Sequence, residues 1–93
     1  MADDSYNKDP AARLDYTWGW TDWLAEITDT IDTATVAVPD GLTAVGDPVF
    51  TDTDVTQWIE GGTVDEAYRV VCQITTAGGR IDERSIYLTI SNR

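Results

Sequence analysis

Two runs in the second half of the chain alternate apolar and polar residues at every second position, and a pair of glycines separates them. In residues 67–76, Tyr68, Val70, Cys72 and Ile74 fall on one face. In residues 80–91, Ile86, Leu88 and Ile90 do the same. A period of two is the signature of a strand with one buried side. The link Ala77-Gly78-Gly79-Arg80 is short, and paired glycines supply the positive φ angles that hairpin turns need. The two runs are therefore expected to be antiparallel neighbours.

The rest of the chain follows the same rule. In residues 12–20, Leu14, Tyr16, Trp18 and Trp20 share one face. Trp20, Trp23 and Leu24 then stand at i, i+3 and i+4, which predicts one helical turn with Thr21 as its cap. Residues 30–38 predict a strand through Ala34, Val36 and Val38; Ile31 is out of phase, which suits a bulge. Pro39-Asp40-Gly41 ends it. Residues 42–45 form a short segment broken by Gly46-Asp47-Pro48, and residues 49–59 predict a further strand. There Val55, Gln57 and Ile59 oppose Asp54, Thr56 and Trp58, and periodicity does not say which face is buried. Residues 1–10 carry no apolar periodicity and read as a flexible arm, free to lie across a neighbour in an assembly.

Six or seven short strands with turn signals between them predict an all-β fold, an immunoglobulin-like antiparallel β-sandwich over residues 11–93. A small barrel is the alternative. Tyr68 follows a turn and opens the penultimate strand, where immunoglobulin-like domains place their tyrosine corner. The 93 residues fit one domain.

Charge and composition narrow the chemistry. Six Lys and Arg against 17 Asp and Glu give a formal net charge of −11, which disfavours nucleic acid and anionic membranes as partners. No apolar stretch is long enough to span a bilayer, and the first residues lack the pattern of a secretory signal. Synthesis in a reducing cytoplasm is the expectation. The chain has no histidine, so the commonest general base and metal ligand is missing. Cys72 sits in an apolar strand and reads as a buried free thiol. Asp47, Asp52 and Asp54 lack the spacing of a calcium loop, and the glycine pairs lack that of a phosphate loop. No enzyme, metal or cofactor is expected. Of the four tryptophans, Trp18 and Trp20 are the expected core residues, and Trp23 and Trp58 the better interface candidates.

Several motifs in shared order resemble a family of small tailed-phage virion proteins. They are Lys8-Asp9-Pro10, Leu14-Asp15-Tyr16 and Trp20-x-x-Trp23-Leu24, then Trp58-Ile59-x-Gly61-Gly62-Thr63 and Tyr68-x-Val70. Thr75-Thr76-x-Gly78-Gly79-Arg80 and Asp82-x-Arg84-Ser85-Ile86 complete the set. The family is that of the phage fibre–tail adaptor or neck proteins. The resemblance implies a structural protein that docks at the neck or tail and joins other virion components, in several copies within a symmetric assembly. The expected interface residues are Trp23, Trp58 and the arm residues Lys8, Asp9 and Pro10. Two competing readings are a capsid decoration protein and a carbohydrate-binding β-sandwich; the latter requires exposed, coplanar tryptophans.

Overall fold

The computed structural model describes residues 4–92 as seven strands and one short helix. The strands are β1 (Asp4–Lys8), β2 (Arg13–Gly19), β3 (Ile31–Ala37), β4 (Leu42–Phe50), β5 (Asp54–Gly61), β6 (Ala67–Thr76) and β7 (Ile81–Ile90). Helix α1 (Thr21–Ile27) links β2 to β3. One sheet runs β1-β7-β6-β3 and the other β2-β5-β4. All pairings are antiparallel except β1 with β7. With the strands lettered A′ to G in chain order, these are the A′GFC and BED sheets of an immunoglobulin sandwich. The first strand has left the edge of strand B for that of strand G. The edge of β2 is thereby left open.

The alternating faces meet in the middle. Tyr16, Trp18, Val55 and Ile59 from one sheet, and Val70, Cys72, Ile74, Ile86, Leu88 and Ile90 from the other, are buried in one cluster, which Trp20 and Leu24 close at one end. This settles the β5 question: Val55, Gln57 and Ile59 point inward, and Trp58 points out. The β6–β7 hairpin forms as expected, with Gly79 at φ +91° and its amide bonded to the Thr76 carbonyl. The irregularity expected near Ile31 is a register shift between Ile31 and Thr33.

Four expectations need correction. The helix has seven residues, not one turn, and its N-cap is Trp20, with no side-chain cap from Thr21. Gly46-Asp47-Pro48 does not end a strand. β4 runs through it as a bulge, with the register shifted between Val45 and Val49 and Gly46 at φ +74°. The side-chain amide of buried Gln57 braces that bulge, donating to the Gly46 carbonyl at 3.2 Å and to its neighbour Trp58's at 2.9 Å. The strand expected over residues 49–59 is two strands, split by a turn in which Thr51 Oγ1 accepts the Thr53 and Asp54 amides.

The fourth correction concerns the arm. Residues 1–3 lie outside the described residues, as does 93 at the other terminus. Asp4–Lys8 is strand β1, in register with Ile86 to Ile90. Backbone pairing, Lys8 and a contact of the Tyr6 ring with that of Tyr16, centroids 5.4 Å apart, hold it, and a run of alternating apolar residues is not needed. Lys8 is fully buried; its Nζ donates to the carbonyls of Gly61 at 2.7 Å and Asp9 at 3.0 Å, and its own carbonyl accepts the Ser91 amide.

Candidate interaction surface

The outward residues of β2, β5 and β4 form rows across the smaller sheet. Asp15, Trp58 and Val45 make one row, Thr17, Thr56 and Val49 the next, and Arg13, Glu60 and Thr43 the third. Trp58 is 46% exposed and Val49 68% exposed. Tryptophan is enriched at the centres of protein interfaces, and the exposed valine extends the apolar area beside it. Polar contacts frame them. Arg13 Nη2 pairs with Glu60 Oε2 at 2.9 Å, and the Thr17 and Thr56 hydroxyls are 2.9 Å apart. These cross-strand contacts fix the rows, so the face presents Trp58 on a rigid platform.

Trp23 is elsewhere. It is half-buried on α1, where it lines a shallow groove with Trp20, Asp22, Glu26 and Arg84. Inside that groove the contacts are internal. Trp20 Nε1 donates to Asp82 Oδ2 at 2.8 Å, and the Arg84 guanidinium lies 4.9 Å from the Trp20 ring centre and bonds the Gly19 carbonyl. The interface candidates Trp23, Trp58 and the arm residues stand on different elements: α1, β5, and the end of β1 with the turn after it. Lys8 is turned inward, and Asp9 and Pro10 are half-buried where β1 turns into β2. There the Asp9 carboxylate accepts the Ala11 amide at 2.8 Å. Burial lowers the pKa of Lys8, opposed by the charges of Asp9 and Glu60.

The structural residues lie as follows. Trp18 and Trp20 are 4% and 1% exposed. Tyr68 is half-buried at the start of β6, and its hydroxyl accepts the Thr63 amide at 3.1 Å, the bond that defines a tyrosine corner. Cys72 is fully buried, and desolvation pushes its thiol up to about 12, so it stays protonated at neutral pH. Sequence reasoning missed Gln57 and Val49. The signal for Gln57 was a polar residue on the apolar phase of its strand.

Among the described residues no group of three or more His, Cys, Asp or Glu is placed to hold a metal, and no helix is long and apolar enough to cross a membrane. Of the four tryptophans, Trp58 is exposed, Trp23 is half-buried, and Trp18 and Trp20 are in the core. Its class is that of a small all-β sandwich of immunoglobulin-like topology. Over residues 8–89 the chain matches the family described as podophage GP4 fiber-tail adaptor protein gp77. The protein belongs to that family: it is a structural adaptor of a tailed phage, and its place is the virion tail. No curated protein matches the chain.

Proposed function

We propose that the outer face of the β2–β5–β4 sheet, centred on Trp58, is the surface by which this adaptor grips a tail or fibre component. The protein acts mechanically, without catalysis, in several copies arranged around the tail axis. The observation that carries this reading is the exposure of Trp58 beside Val49, with Val45 in the Trp58 row, on a face whose other positions carry Asp15, Thr17, Thr43, Thr56 and the Arg13–Glu60 pair. A buried aromatic anchor contributes about 2 kcal/mol or more at an interface, about thirtyfold in affinity.

The test is a phage carrying Trp58→Ala. The variant protein is expected to melt within a few degrees of the parent, because the indole is already half in water, and to be lost from purified particles. Normal incorporation overturns the reading. An averaged electron cryo-microscopy map of the parent particle gives the location: density joining fibre to tail supports it, and density spread over the capsid lattice supports a decoration protein instead.

A further inference from the structure

Strand β2 has a backbone partner on one side only. The Trp20 amide donates to the Thr53 carbonyl, which sets the phase of the ladder. Trp18, Tyr16 and Leu14 share that phase, so their N–H and C=O groups point toward β5. Arg13, Asp15, Thr17 and Gly19 therefore point theirs away from it, to the open edge. The Gly19 carbonyl is taken by Arg84, which closes that end. Arg13, Asp15 and Thr17 are exposed and meet no further strand among the described residues, because the strand that would cover them in an immunoglobulin sandwich, β1, pairs with β7 instead.

The other edges are blunted. β4 carries the Gly46–Pro48 bulge, β3 is irregular between Ile31 and Thr33, and β1 is only five residues long. β2 pairs with β5 over seven consecutive residues with no irregularity. We propose that the β2 edge accepts an extended segment of a tail or fibre protein as an added antiparallel or parallel strand, with a Lys or Arg of that segment facing Asp15. This deepens the adaptor reading and rests on it.

Charge selects the occupant. The chain carries a net charge of −11, and Asp15 forms no ion pair among the described residues, so a basic residue opposite it is favoured. A second copy fits poorly. The register that engages Arg13, Asp15 and Thr17 together is centred on Asp15 and sets that carboxylate against its own copy. On the inward side of the same edge, Leu14 is 36% and Tyr6 41% exposed, which offers an apolar seat for the alternate side chains of the added strand.

The test compares the free protein with tail particles that contain it, by site-resolved amide hydrogen exchange, alongside two variants. In the free protein, which is expected to be a monomer, the Asp15 and Thr17 amides exchange quickly while those of Tyr16 and Trp18 are slow. In particles, Asp15 and Thr17 become slow too. Asp15→Pro removes an outward N–H that β5 does not use, so it is expected to fold. It is also expected to enter particles lacking the parent protein about tenfold less, or worse, whereas Asp15→Ala, which keeps the N–H and loses only the carboxylate that faces the basic residue, loses measurably less than Asp15→Pro. Should Asp15→Pro fail to fold, the exchange pattern decides alone. Fast exchange at Asp15 and Thr17 in particles, or equal loss with Asp15→Ala, overturns strand addition and leaves the adaptor reading standing. A free dimer with both amides protected overturns it in favour of self-pairing. Failure of the parent protein itself to enter particles overturns both.

Discussion

The Tyr68 hydroxyl accepts the Thr63 amide at 3.1 Å, tying the start of β6 to the turn that leads into it. The same ring lies against Gly41. A Cβ at Gly41 would meet Tyr68 Oη at 2.7 Å, and φ there is +101°. The corner therefore needs both the phenol and the glycine. Tyr68→Phe is expected to cost about 1 kcal/mol, the loss of one hydrogen bond. Gly41→Ala, which is both crowded and strained, is expected to cost about 1–3 kcal/mol. Urea denaturation of the two variants checks this. A neutral Tyr68→Phe would remove the tyrosine corner as a source of stability.

Much of this framework was legible in the sequence, for a physical reason. β6 and β7 bury one face each, so Val70, Cys72, Ile74, Ile86, Leu88 and Ile90 had to alternate. Trp18 and Trp20 were legible on the same ground. What stayed hidden is held by backbone and polar groups. The Asp4–Lys8 strand pairs through its amides and through a lysine amine, and the β4 bulge survives because Gln57 holds its carbonyl groups. The site was half legible. Trp58 was named from residue type, but its partner Val49 was placed there only by the bulge that shifts the register of β4.

Asp29 joins the α1–β3 connection to the β6–β7 hairpin. Its carboxylate accepts the amides of Thr30 at 2.9 Å and Gly78 at 3.1 Å and pairs with Arg80 Nη1 at 2.9 Å. A side-chain hydrogen bond from Thr76, with the Thr30 and Gly78 amides and Arg80 adding to it against the opposing effect of desolvation, lowers its pKa from 3.8 to about 2. The unfolded chain thus binds the proton more tightly than the folded one. The stability that Asp29 contributes is complete above 3.8 and is lost as the pH falls toward about 2. In Asp29→Asn this part of the acid dependence is expected to vanish, with the variant closest to the parent at the lowest pH. Denaturation midpoints taken across that window check it, and parallel curves for the two proteins would exclude Asp29 as the linked group.

Cys72 faces the core with a thiol held near 12, against 9.0 for a free one. Thiolate is what thiol reagents consume, so the native protein should react with a disulfide reagent only as fast as it opens. The rate is expected to rise with urea in step with unfolding. Above about 9 the unfolded chain also gives up this proton while the folded chain keeps it, so alkaline pH should erode stability. Cys72→Ala is expected to cost stability at neutral pH through the cavity it leaves, and to remove the alkaline component. Rapid reaction in the native state would show that β6 is open to reagent.

Lys8 is the latch of β1. Its amine reaches the Gly61 carbonyl at 2.7 Å, linking the end of β1 to the end of β5 in the opposite sheet, while the Lys8 carbonyl holds the Ser91 amide. Lys8→Met keeps the apolar stem in its buried place and deletes the donor, leaving the Gly61 and Asp9 carbonyls without it. The expected cost is about 1–3 kcal/mol, tempered by the fact that burial already disfavours the charge. The signature that separates a latch from a general core residue is local. Amides of β1 and its partner β7 should gain exchange in Lys8→Met well before those of β3, the far edge of the same sheet. Uniform acceleration across β7, β6 and β3 would instead make Lys8 an ordinary contributor to global stability.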